Sequence, residues 1–273
     1  MKGTVMPARQ ANCRLPAVKA LAEAGKGKAA AGACNGAREH AKAAGGHPIT
    51  LTRGTILWVV LLLLAATASP VLTGESFVIA ERTLRLMEKR YGPEARERLL
   101  DWQVLVQTTA GDERTKLERV NRFFNAMDFV DDTSHWHQND YWATPMEFLA
   151  SKGGDCEDFA IAKLFTLIML GIAEDKLTLT YAKAVRLNQA HMVLTYYPAS
   201  EAEPLVLDNL VETILPTSQR RDLLPVYSLN GSGLWLAKQR GRGKLLGDSN
   251  RLKRWRELLE RISGEMEQDK ETP

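Results

Sequence analysis

An apolar run of eleven residues, 56–66 (ILWVVLLLLAA), divides this 273-residue chain into parts that cannot share one core. Ahead of it, residues 1–53 carry nine Lys and Arg against two Glu and few large apolar side chains. Such a segment cannot bury enough surface to offset its chain entropy, so it reads as a basic leader without a packed core. After the run come Ala66-Thr67-Ala68 and then Ser69-Pro70. A positive flank at Arg53, a short apolar core and a small-x-small exit form a secretory signal with cleavage after Ala68. The alternative is a retained anchor. The uncharged stretch 54–74 is long enough to span a bilayer, although Gly54, Thr55, Thr67, Ser69, Pro70, Thr73 and Gly74 dilute it.

Either way the rest of the chain leaves the cytoplasm, and the expected destination is the periplasm. The membrane is a partner only if the apolar segment is retained. The expected organisation is a leader at 1–53, a signal segment at 54–68 and one exported domain at 69–273. A signal seldom follows fifty residues, so the leader also reads as an artefact of the assigned gene start. No Met lies between Met6 and Met87, so a start nearer Arg53 needs an alternative codon.

The division changes two totals. The whole chain has a formal charge of +3, but the leader holds +7 and residues 69–273 hold 27 basic against 31 acidic side chains, a net of −4. An acidic exported domain has no electrostatic footprint for nucleic acid. Of three cysteines, Cys13 and Cys34 lie in the leader, which leaves Cys156.

Within 69–273, helical spacing appears at 75–91 (Phe77, Ala80, Leu84, Met87), 94–107 and 112–127 (Leu117, Val120, Phe123, Phe124, Met127). Residues 128–144 (DFVDDTSHWHQNDYWAT) have no clear period and read as a long ordered loop. Pro145 opens a short helix to Ser151, and Lys152-Gly153-Gly154 breaks it. Residues 156–170 form a strong helix, with Ala160, Ile161, Leu164, Phe165, Ile168 and Met169 on its apolar side and Gly171 as its stop. Strands are expected at 177–185, 191–197 and 204–208, and an amphipathic helix at 250–266 with Leu252, Trp255, Leu259 and Ile262 on one side. Helices followed by meandering strands give an α+β fold, an antiparallel sheet packed on helices.

Cys156 follows Gly153-Gly154-Asp155 at a helix start, where unpaired N–H groups and the helix dipole favour a thiolate and can donate to an oxyanion. A buried structural cysteine is the plainer alternative. A cysteine nucleophile needs a base, and the base an orienting group. His191 opens a strand just after a turn, and Asp208 closes the next strand seventeen residues on. Antiparallel neighbours, one starting and one ending at one sheet edge, bring the two side by side. Taken singly, each is an ordinary surface or turn residue; the combination defines nucleophile, base and orienter.

Asp155, Glu157 and Asp158 surround Cys156. They suit a helix N-terminus as caps and first-turn acids. Three carboxylates nevertheless oppose ionisation of a thiol beside them. Either they point away or a hard divalent ion neutralises them, and calcium is common outside the cytoplasm. Asp131, Asp132 and Asp140 in the preceding loop offer further oxygens.

The stretches Thr144-Pro145-Met146-Glu147-Phe148-Leu149 and Gly153-Gly154-Asp155-Cys156-Glu157-Asp158-Phe159-Ala160 resemble the bacterial transglutaminase-like cysteine proteases, and within them the LapG-type periplasmic proteases. His191-Met192-Val193-Leu194 and Leu207-Asp208-Asn209 fall where that family has its histidine and aspartate. The resemblance covers roughly residues 75–261. It implies a papain/transglutaminase-like fold, with a helical N-terminal part and a central nucleophile helix on the sheet. It implies a triad of Cys156, His191 and Asp208. It also implies calcium held beside the nucleophile by Asp155 and Glu157, with Asp158 and Asp140 assisting. The implied substrate is a large repeat-containing surface adhesin, cut in its N-terminal region at a di-alanine site, which releases it and favours biofilm dispersal. The implied regulator is the periplasmic domain of an inner-membrane cyclic di-GMP receptor. Two other readings stay open: a transglutaminase-like acyl transferase or amidase using the same triad, and a non-catalytic partner-binding module.

Overall fold

The computed structural model describes residues 77–199, 202–231, 233–238 and 241–270. The leader, the apolar segment and the first residues of the expected domain lie outside the described residues. No helix among those described is long and apolar enough to cross a membrane.

Three helices open the domain: α1 (Glu81–Tyr91), α2 (Pro93–Thr108) and α3 (Glu113–Asn125). α1 begins at Glu81 rather than near 75, and Ala80 before it is extended and makes no side-chain cap. Gly92, at φ 93°, turns the chain between α1 and α2, and Pro93 supplies a fixed φ at the first helical position. Asp112 caps α3, its Oδ1 accepting from the Thr115 N–H at 2.8 Å. Leu84, Met87, Leu99, Trp102, Leu117, Val120 and Phe124 from these helices are buried together.

The polar stretch 128–144 is more ordered than a loop. β1 (Asp128–Phe129) pairs in parallel with β2 (Gly153–Gly154), and α4 (Asp132–His135) follows β1. α5 (Pro145–Ala150) is fixed by a reciprocal capping box between Thr144 and Glu147. The two glycines of β2 are required by close approach. A Cβ on Gly153 would strike the Asp128 carbonyl oxygen, and one on Gly154 would strike the Asp158 carboxylate.

α6 (Cys156–Met169) runs through the centre of the molecule, packed against α3, α5 and the sheet. It is buried on almost its whole circumference, which is the signature of a central helix rather than an amphipathic surface one. The expected apolar side is therefore too narrow. Phe165, Ile168 and Met169 are only half-buried, whereas Ala162, Thr166 and Leu167 are buried. The Trp102 Nε1–H donates to Thr166 Oγ1 at 2.9 Å and ties α2 to α6.

Among the described residues the main sheet has seven strands, all antiparallel, in the order β6-β5-β4-β3-β7-β8-β9. β3 (Leu177–Ala184), β4 (Gln189–Tyr196) and β5 (Leu205–Leu207) are the expected strands. β6 (Leu215–Pro216), β7 (Leu223–Asn230), β8 (Gly233–Lys238) and β9 (Gly241–Gly247) are additions. Pro225 hides β7 in the sequence, because proline cannot donate to a ladder; the structure admits it where the β3–β7 register slips. β9 (GRGKLLG) has no alternation to read. α7 (Lys253–Lys270) is the last described helix; a 3-10 turn over Ser249–Arg251 stands where the α-helix expected at 250–266 was to begin. Its Trp255 and Leu258 are buried, and Trp255 stacks on Phe165 with centroids 6.2 Å apart. The architecture is a mixed helical and antiparallel α+β fold, as expected.

Candidate active site

Cys156 is the first residue of α6, and it is 1% exposed. Its Sγ accepts from the Met192 N–H at 3.3 Å. The nucleophile-type residue therefore rests on the backbone of β4 beside His191. Asp158 Oδ2 accepts from the Asp155 N–H at 3.3 Å, the reach-back of a helix cap, while its Oδ1 accepts from the Ala143 N–H at 2.7 Å. These bonds lock the helix start against the end of the aromatic loop.

His191 sits third in β4, two residues inside the strand rather than at its opening. Asp208 stands one residue beyond β5. The β4–β5 ladder ends at Leu194↔Leu207, so both side chains lie at the open end of that ladder. His191 Nε2 and Asp208 Oδ1 are 2.8 Å apart, with both residues buried. The sequence-level argument from neighbouring strand ends thus gives the observed pair.

The surroundings of Asp208 were not anticipated. Its Oδ1 also accepts from the Leu210 N–H at 3.0 Å, and its Oδ2 accepts from Arg220 Nη2 at 2.6 Å. Its backbone carbonyl accepts from Asn125 Nδ2 at 2.8 Å, and Asn125 Oδ1 accepts from Lys163 Nζ at 2.6 Å. Burial alone would raise the Asp208 carboxyl. The His191 ring, the Arg220 guanidinium and the Leu210 N–H overcome it and hold the group well below the usual carboxylate range. Lys163, on α6, is 1% exposed, and burial lowers its ammonium to about 7 against the pull of Asp208. In sequence, Arg220-Arg221-Asp222 reads as a charged turn and Lys163 as a solvated helix position, so neither carries a signal.

On the other side of Cys156 the charge is one-sided. Glu157 Oε2 lies 3.1 Å from Cys156 Sγ, so the carboxylates do not point away. A cavity of about 40 Å³ is lined by Asp131, Asp132, Asn139, Asp140, Asp155 and Glu157. Ligand atoms of Asp132, Asp155 and Asp158 lie within 4.8 Å of one another, as do those of Asp155, Cys156 and Glu157. Asp132 Oδ2 accepts from the Tyr141 N–H at 2.5 Å, while its buried Oδ1 has no hydrogen-bond partner among the described residues. Asp140, held at φ 58°, accepts from Trp142 Nε1 at 3.1 Å and faces Arg254 Nε at 3.4 Å.

Three of the four candidate ligand residues, Asp155, Glu157 and Asp140, therefore line one cavity. Asp158 sits behind it with both oxygens engaged by backbone N–H groups. Asp132 is the stronger addition. Burial, followed by Glu157, raises its carboxyl to about 7. Burial likewise raises Asp155, Glu157 and Asp158. An oxygen-only cluster with a buried orphan acceptor on Asp132 fits a hard cation such as calcium, which takes carboxylate oxygens in flexible number.

A buried cysteine at a central helix start accepts from the backbone next to a histidine that is paired with an aspartate. Residues 95–236 match the family model of bacterial transglutaminase-like cysteine proteinases, and the chain belongs to that family. Three solved structures of Legionella pneumophila LapG match it. The EGTA-treated form is 44% identical over 68% of this chain and 99% of its own, with a TM-score of 0.59. A second form is 43% identical over 68% and 99%, also at 0.59. The calcium-bound form is 43% identical over 67% and 99%, at 0.57. No curated protein matches.

Proposed function

We propose that this protein is a calcium-dependent periplasmic endopeptidase with Cys156 as nucleophile, His191 as base and Asp208 as orienting acid. The observation that carries the reading is the 2.8 Å His191–Asp208 contact beside a helix-start cysteine that touches the backbone of β4. With Nε2 committed to Asp208, Nδ1 is the ring nitrogen left to exchange a proton with Cys156. His191 takes that proton, and the thiolate attacks a peptide carbonyl. N–H groups at the α6 N-terminus stabilise the developing oxyanion. His191 then protonates the leaving amine, and water hydrolyses the thioester. Asp155, Glu157, Asp140 and Asp132 would hold calcium, whose charge would neutralise the carboxylates beside the thiolate.

The substrate in this reading is a large repeat-containing surface adhesin, cut at a di-alanine site in its N-terminal region so that it leaves the cell surface and biofilm disperses. The partner that restrains the protease is the periplasmic domain of an inner-membrane cyclic di-GMP receptor. The likeness to LapG and the secretory pattern at 53–68 support this placement. The test is cleavage of the adhesin's N-terminal segment with calcium, with excess chelator, and by Cys156→Ala. Two fragments from the calcium-loaded wild type alone are expected. Cleavage by folded Cys156→Ala contradicts the reading, and a product carrying a labelled amine indicates acyl transfer instead.

A further inference from the structure

Asp208 is gripped on both carboxylate oxygens, and the second grip belongs to a residue outside the triad. Arg220 follows a 3-10 turn over Thr217–Gln219, and its side chain is 3% exposed. Nη2 donates to Asp208 Oδ2 at 2.6 Å and to Asp222 Oδ2 at 2.8 Å, while Nε donates to Asp222 Oδ1 at 3.0 Å. Asp222 therefore fixes the guanidinium plane by a two-point fork, the geometry that makes arginine more than a point charge. The guanidinium in turn fixes the Asp208 carboxylate, whose other oxygen meets His191.

We propose that Arg220, held by Asp222, is the positioning residue that sets the Asp208 carboxylate for His191; the inference rests on the triad reading. Two considerations favour position over stability as its main effect. A buried ion pair is a weak stabiliser compared with packed apolar side chains. Arg220 also buries its Nη1 with no hydrogen-bond partner among the described residues, which is a cost that packing alone does not explain. The charges balance as well. Asp222, Arg220 and Asp208 sum to one negative charge, which the His191 imidazolium neutralises when it takes the Cys156 proton.

The experiment compares wild type, Arg220→Ala, Arg220→Lys and Cys156→Ala, all calcium-loaded, on a fluorogenic peptide spanning a di-alanine bond. Circular dichroism reports folding. The low-field proton resonance of the His191 Nε2–H reports the Asp208 contact without any turnover. In Arg220→Ala, kcat is expected to fall about 100-fold, the scale of a misplaced catalytic group, with KM little changed. The His191 resonance is expected to broaden away, and added guanidinium to restore both signals. Arg220→Lys keeps a charge without the fork, so an intermediate kcat is expected. A folded Arg220→Ala that keeps wild-type kcat and the resonance overturns the proposal, as does loss of both without guanidinium rescue. Should Arg220→Ala not fold, a folded Arg220→Lys with unchanged kcat and resonance overturns it. Cleavage by Cys156→Ala overturns the triad reading instead, and the His191 resonance still reports on Arg220 in that event.

Discussion

Two clusters of buried charge flank Cys156 and are built in opposite ways. On the sheet side, Asp208 is surrounded by donors: His191, Arg220 and the Leu210 N–H, with Lys163 reaching it through Asn125. Its carboxyl is held far below the usual range, and the pair is complete within the chain. On the loop side, Asp132, Asp155, Glu157 and Asp158 crowd beside Cys156, Asp132 and Asp158 accepting backbone N–H groups, and burial raises all four. One cluster is balanced by donors from the chain itself. In the proposed function the other would be balanced by a cation. That function would let a thiolate form beside carboxylates: His191 and Asp208 would supply the base and its orientation, and calcium the missing positive charge.

Breaking the sheet side gives the largest effect. Asp208→Asn keeps the size of the side chain but removes the charge that orients and stabilises the imidazolium. A kcat loss of about 10⁴-fold is expected in steady-state assays, with the fold retained by circular dichroism. Stripping the loop side comes next. Excess chelator is expected to suppress cleavage and lower the thermal midpoint. Calcium at about a hundred times its Kd restores about 2.7 kcal/mol of stability, measurable by denaturant unfolding.

The two sides also predict opposite pH trends. The Asp132 carboxyl is raised from 3.8 to about 7, so the folded, metal-free protein binds a proton that the unfolded chain has released. Its stability therefore falls as pH rises from about 4 to 7, and calcium flattens that fall. Lys163 is lowered from 10.5 to about 7, so here the unfolded chain binds the extra proton. This contribution rises between pH 7 and 10.5, with a slope of at most about 1.4 kcal/mol per pH unit. Lys163→Met is expected to flatten that rise relative to wild type in urea titrations with calcium present. An unchanged slope would show that Lys163 does not carry it.

The parts of this site that were legible in sequence share a property: they sit at the ends of elements marked by local chemistry. Cys156 follows a glycine pair and opens a helix, His191 follows a turn, and Asp208 ends an apolar strand. Asp155, Glu157 and Asp158 were legible as a charge problem beside a thiol, and Asp140 as a loop residue offering a further oxygen. Arg220 and Lys163 were not, because their roles come from tertiary contacts with Asp208 and Asn125 across spans of 12 and 38 residues. The same contrast holds for the fold. α2 and α6 fall within one residue of their expected bounds, whereas β7 carries a proline at a register shift and β9 lacks alternation, so these two strands gave no periodic signal.

The most direct test of the central claim is to mix calcium-loaded protein with a di-alanine peptide, quench in acid within the first turnover, and map the adduct by mass spectrometry. The account predicts the acyl fragment joined to Cys156 as a thioester, absent when the chelator is present and absent from Cys156→Ala. Peptide cleavage that proceeds with no adduct on Cys156, and equally in Cys156→Ala, would contradict it.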